Sequence, residues 1–145
     1  MTERSLTIAI ASDHAGYTLK AAIIAAFSDY HFIDLGADSS GHRCDYPDQA
    51  DKLAATMKDN PEITFGILVC GSGIGISIAG NRHSHLRVAL CHDVTSAKLS
   101  RQHNDANVLA LGERLIGQQT ALDAVAIFLT EPFEGGRHLA RVNKL

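Results

Sequence analysis

Phe65-Gly66-Ile67-Leu68-Val69-Cys70-Gly71-Ser72-Gly73-Ile74-Gly75 is an apolar run that breaks off at a thiol followed by three glycines. The apolar part predicts a strand buried on both faces, and Ile76-Ser77-Ile78-Ala79 behind the glycines reads as a helix start. Cys70 then stands at a strand's carboxyl end, against a loop with little side-chain bulk. Such a loop can close its N–H groups on an anionic oxygen, and the positive end of the helix favours negative charge beside it. The same field stabilises a thiolate, so Cys70 is a candidate base or nucleophile. The competing reading is a small buried hydrophobe.

Outward from this stretch the chain alternates between strand and helix patterns. Residues 6–11 form a β-like run ending at Ser12-Asp13-His14-Ala15-Gly16, after which Leu19, Ala22, Ile23, Ala26, Phe27 and Tyr30 recur at helical spacing. Residues 31–35 resemble a second strand, and residues 37–45 a polar loop. Pro47 suits the first turn of the next helix, which Asn60-Pro61 stops. Residues 63–69, 87–91 and 107–111 read as the third, fourth and fifth strands, each followed by a helical pattern. Asp93 is placed to cap one of these helices, and residues 117–129 form the last long one, ahead of a short basic tail.

Apolar strands joined by crossover helices imply a parallel sheet covered on both faces. The expected fold is a single-domain Rossmann-like αβα sandwich over residues 1–145, with five strands in the order 2-1-3-4-5. In that order Asp13-His14, at the end of strand one, meets Cys70-Gly71-Ser72-Gly73, at the end of strand three. Their crevice is the expected ligand site.

At 145 residues, 46% hydrophobic and 20% charged, the chain has the size and composition of one compact domain. A net charge of -3 gives no global attraction to nucleic acid or to an anionic membrane, so neither is an expected partner. An anionic ligand would need a local cationic cluster. The three cysteines, Cys44, Cys70 and Cys91, lack C-x-x-C spacing and fit a reducing compartment. Residues 1–5 carry no apolar targeting core, and no apolar run approaches a membrane span. A cytoplasmic location is expected.

Ser72 and the N–H groups of Gly71, Gly73 and Gly75 can donate to oxygens that become negative during reaction; the alternative is a tight turn that needs glycine for backbone reasons alone. Arg137 and Arg141, one helical turn apart, can grip a dianion from one side, with Arg114 and His138 adding to it. A solvated basic tail is the plainer reading of that pair. His103-Asn104-Asp105 reads as a polar turn at the functional edge of the sheet. His83, His85, His92 and Cys91 lack metal-ligand spacing, and no metal site is expected from them.

Together, Ser12-Asp13-His14-Ala15-Gly16, the segment from Cys70 to Ala79, Ser100-Arg101-Gln102-His103-Asn104-Asp105-Ala106-Asn107 and Glu134-Gly135-Gly136-Arg137-His138 resemble type B ribose-5-phosphate isomerase. The resemblance implies a metal-free and cofactor-free aldose–ketose isomerase that interconverts ribose 5-phosphate and ribulose 5-phosphate, a step of the pentose phosphate pathway. Carried over residue by residue, it implies that Cys70 shuttles a proton between C1 and C2 and that His103 opens the furanose ring. The loop from Gly71 to Gly75, with Ser72 and Ile74, matches the cradle for the enediolate oxygens. Asp13, His14, Asn104, Arg114, Arg137 and Arg141 match the substrate-binding set, the last two chiefly for phosphate. Some relatives use a glutamate at the position of Ile76 instead of the cysteine, so this chain resembles the cysteine type. The resemblance also implies a homo-oligomer, dimer or tetramer, whose site is shared, with the His103-Asn104 segment donated by the neighbour.

Three other functions compete with this one. Relatives act on hexose 6-phosphates of the allose or galactose type by the same mechanism. A dinucleotide-binding module would want G-x-G-x-x-G after the first strand, whereas Gly71-x-Gly73-x-Gly75 follows the third. A thiol phosphatase would want an arginine closing the loop where Ile76 stands.

Overall fold

The computed structural model describes residues 6–145. The reading that no targeting segment is present fell on residues 1–5, which lie outside them. Five parallel strands, β1 (Thr7–Ser12), β2 (His31–Asp34), β3 (Ile63–Cys70), β4 (Val88–Leu90) and β5 (Val108–Gly112), form one sheet. Among the described residues six α-helices accompany it: α1 (Tyr17–Ala26), α2 (Tyr46–Asp59), α3 (Ile74–Gly80), α4 (Val94–Asn104), α5 (Gln118–Thr130) and α6 (Arg137–Val142). No helix among the described residues is long and apolar enough to cross a membrane.

Alternation along the strands divides the core in two. Ile8, Ile10, Phe65, Ile67, Val69, Leu109 and Leu111 pack on one face with Leu19 and Ile23 of α1, Ala97 of α4 and Val125 and Phe128 of α5. Ala9, Ala11, Leu68, Val108 and Ala110 pack on the other with Leu53 of α2 and Ile76 of α3. Cys70 continues this second register, so the strand's pleat alone aims its sulfur toward the α2–α3 side.

The strand order is β2-β1-β3-β5-β4, which corrects the expected order at one edge: β5, not β4, lies beside β3. The reason is burial. All five residues of β5 are buried, whereas the three of β4 are only half-buried, and an edge strand is covered less. The pairing of β1 with β3 is as expected, and it is the one that forms the crevice.

A second correction concerns His103. A helix that leaves a strand's carboxyl end must return to the amino end of the next parallel strand. His103, in the last turn of α4 and ahead of β5, therefore lies at the amino edge of the sheet and not at the edge that carries Cys70. Arg101, 8% exposed, fixes that end of α4 by donating to the carbonyls of Ala106 at 2.6 Å and Glu131 at 3.2 Å. Local signals were otherwise followed closely. The Asp93 carboxylate caps α4 by accepting from the Ser96 N–H at 2.6 Å, and Pro47 sits in the first turn of α2. The expected first helix stops at Ala26, leaving Tyr30 in the following turn, and the basic tail folds as α6.

Candidate active site

At the carboxyl edge, between β1 and β3, lies a cleft of about 380 Å³ lined by Asp13, His14, Tyr46, Cys70, Ser72 and Arg114 among others. Its floor is the loop after β3. Gly73 has φ +78, a left-handed conformation in which a Cβ would also stand 2.7 Å from Leu90 Cδ1. That conformation turns the Gly73 N–H back onto the Cys70 sulfur, to which it donates at 3.1 Å. Cys70 is 4% exposed and is one of the residues that line the cleft. Ser72 Oγ accepts from the Ile74 N–H at 3.1 Å, which closes the loop against α3.

The walls are tied to this floor by backbone. Glu113 and Arg114, just past β5, donate their N–H groups to the carbonyls of Cys70 at 3.0 Å and Gly71 at 2.9 Å. The Arg114 side chain thereby lies over Gly71, 3.5 Å from where a Cβ would stand. Across the cleft, Asp13 Oδ1 accepts from the Gly16 N–H at 3.0 Å, capping the single 3-10 turn of residues 14–16. His14 Nδ1 accepts from the Cys44 N–H at 3.2 Å. The cleft thus combines a polarised thiol, an amide-rich loop, a carboxylate, an imidazole and a guanidinium.

Sequence reasoning did not single out Tyr46. Its ring closes the cleft so tightly over Gly75 that a Cβ there would fall 2.7 Å from the ring's Cζ. The available signal was position, since Tyr46 precedes Pro47 at the start of α2, where a loop returns to the carboxyl edge. Ile74 contributes its N–H to the loop while its side chain, 48% exposed, points away from the core. Ile76 is fully buried in the same apolar cluster as Cys70.

The remaining candidate residues gather elsewhere. His103, Asn104, His138 and Arg141 line a separate pocket at the amino edge, and Arg137 opens α6 beside it. From Val108 to Gly112, β5 alone separates the two edges by about 13 Å at 3.3 Å per residue. One chain therefore holds the thiol and the paired arginines at opposite ends of its sheet.

In the amino-edge pocket the His103 and His138 rings stack with centroids 4.4 Å apart and planes 15° from parallel. Glu134 Oε1 lies 3.6 Å from His103 Nε2 and 3.9 Å from His138 Nε2. Burial, then the charges of Arg137 and His103, push the His138 imidazole below its ordinary pKa; Glu134 opposes this. These three residues have metal-ligand chemistry, with donor atoms within 4.8 Å of one another. Face-to-face rings, however, direct their in-plane lone pairs along parallel planes, and a single ion cannot lie in both. His83 and His85 are occupied elsewhere, by Asp51 at 2.7 Å and the Ala54 carbonyl at 2.7 Å.

Comparison with known proteins identifies the family. A family profile described as ribose/galactose isomerase matches residues 8–145. Ribose-5-phosphate isomerase B of Escherichia coli is 44% identical over 140 residues, which is 95% of this chain and 93% of that protein. The structure of ribose-5-phosphate isomerase B from Clostridium thermocellum superposes with a TM-score of 0.91 at 45% identity, covering 96% of this chain and 94% of that one. That of the Mycoplasma genitalium enzyme with bound ribulose-5-phosphate gives 0.91 at 39% identity, covering 98% and 95%.

Proposed function

The chain belongs to the ribose/galactose isomerase family, and from that premise we propose that it interconverts ribose 5-phosphate and ribulose 5-phosphate with Cys70 as the base. It is an aldose–ketose isomerase, as its relatives are named. The observation that carries the finer reading is the Gly73 N–H aimed at the Cys70 sulfur inside the cleft.

The chemistry follows from that contact. The Cys70 thiolate removes the C2 proton of the open aldose, and the electron pair moves through C1 onto O1 to give an enediolate. The proton returns to C1, and the O2 hydroxyl proton passes to O1, leaving a C2 ketone and a C1 alcohol. A thiolate is too weak a base for such a carbon acid in water. With the Gly73 and Ile74 N–H groups engaged by the Cys70 sulfur and Ser72 Oγ, the remaining N–H donors of the Gly71–Gly75 loop and the Ser72 hydroxyl stabilise the enediolate, at roughly 3 kcal/mol per well-aimed donor. Asp13 and His14 hold the sugar hydroxyls, and Arg114 lies within reach of its far end.

Ring opening and phosphate binding fall to His103, Asn104, Arg137 and Arg141. Because these stand at the opposite edge, the reading requires a second copy to bring its amino edge to the first copy's cleft. The working enzyme is then a homodimer or a higher symmetric assembly in the cytoplasm.

The test is a panel of pentose 5-phosphates and hexose 6-phosphates, assayed with the purified protein in the presence of a chelator. Fastest turnover of ribose 5-phosphate supports the proposal. Preference for an allose or galactose 6-phosphate would transfer the same mechanism to a hexose, and no turnover of any sugar phosphate would refute it.

A further inference from the structure

Glu134 belongs to neither the thiol cleft nor the arginine pair, yet its position is tightly specified. Its backbone N–H donates to the Gln102 carbonyl at 3.1 Å, so the loop before α6 is tied to the residue adjacent to His103. The Gln102 side chain also donates to the Glu131 carboxylate, and Arg101 donates to the Glu131 carbonyl. The Glu134 main chain is thus held beside His103, and its half-exposed side chain reaches the ring from there.

On its other side the His103 ring lies flat on His138, which is 6% exposed and whose Nε2 has no hydrogen-bond partner among the described residues. His103 itself is 38% exposed on its side chain. An imidazole that open would ordinarily sample several rotamers. Here one face rests on a buried ring, and one nitrogen faces a carboxylate 3.6 Å away.

We infer that Glu134 is a positioning residue that, with His138 as a backing plate, fixes the orientation and tautomer of His103 for opening the furanose ring. This rests on the ring-opening reading of His103 given above. In that step the anomeric hydroxyl loses a proton, the C1–O4 bond breaks and O4 gains a proton, leaving a C1 aldehyde and a C4 hydroxyl. A carboxylate facing Nε2 favours the proton on that nitrogen, which leaves Nδ1 to exchange protons with the sugar. Glu134 touches no reacting atom and acts through His103, with His138 Nε2, 3.9 Å from the same carboxylate oxygen, as its second neighbour.

The experiment compares ribose 5-phosphate with its 4-deoxy analogue, which lacks O4 and cannot close a furanose ring. Glu134→Gln is expected to lower kcat on ribose 5-phosphate by about 10- to 100-fold, the usual cost of losing a carboxylate behind a histidine, and to leave the analogue's kcat unchanged. Glu134→Asp is expected to recover part of the loss. Equal loss on both substrates, or loss on neither, overturns the inference. His103→Ala serves as the control: if it fails to discriminate between the substrates, the ring-opening reading falls and the inference with it. If it discriminates while Glu134→Gln does not, the inference alone falls. A readout without substrate is the ¹⁵N spectrum of His103, expected to show the proton on Nε2 in the parent and to lose that preference in Glu134→Gln. An identical spectrum in both proteins counts against the inference.

Discussion

The Gly73 N–H donates to the Cys70 sulfur at 3.1 Å, so the loop that would cradle a substrate oxygen also orients the thiol. The thiol and the glycine loop are one structural unit, held by one residue with φ +78.

Gly73→Ala tests that unity. The substitution strains a left-handed residue by about 1–2 kcal/mol. It also drives a methyl group to 2.7 Å from Leu90 Cδ1 and 2.8 Å from the Leu111 carbonyl carbon. The backbone must shift, taking the amide off the sulfur. We expect isomerisation to fall at least about 100-fold, the order seen for losing an oxyanion donor, while the circular dichroism spectrum stays that of the parent. Near-parental activity would show that the amide does not set the thiol's position.

The separation of Cys70 from His103 leads to a mixing experiment. Cys70→Ala and His103→Ala are each expected to be inactive on ribose 5-phosphate. When their subunits exchange at equal amounts, half of the dimers are mixed, and each mixed dimer holds one site with both residues intact. Recovery of about a quarter of the parental activity is therefore expected. Activity staying at the level of the separate variants would place both groups in a site built by one chain.

The pH dependence of stability offers a third check. His138 is held below its ordinary pKa, chiefly by burial and then by Arg137 and His103, so the unfolded chain binds this proton more readily than the folded one. Stability contributed by the neutral ring is complete above the ordinary histidine value, near 6.5, and is lost as pH falls through it toward the lower folded value. Urea midpoints measured downward from about pH 8 should decline, and His138→Phe should flatten part of that slope. An unchanged slope would mean that His138 is not a source of it.

The parts of this arrangement that could be read in the sequence are those encoded locally. Phe65 to Gly75 carries its own strand, turn and helix signals, and Asp93 and Pro47 mark helix starts by their side-chain chemistry. The order of β4 and β5 was not legible in that way. Both are short apolar runs, and which one takes the interior depends on comparative burial across the sheet. The edge occupied by His103 was available from chain direction, since a turn between a helix and the next parallel strand lies at the amino edge. Its polar character pointed the wrong way. Tyr46 escaped notice because its role depends on Gly75, distant in sequence and adjacent only once α2 packs on α3.

Proton movement at carbon is the most direct readout of the role given to Cys70. With ribose 5-phosphate in deuterium oxide, the parent protein is expected to place solvent deuterium at C1 of the ribulose 5-phosphate formed. Cys70→Ala, folded and still binding the sugar phosphate, should yield neither ketose nor exchange at C2 of the recovered aldose. Exchange continuing at the parental rate in Cys70→Ala would contradict the account, because some other group would then be taking the proton.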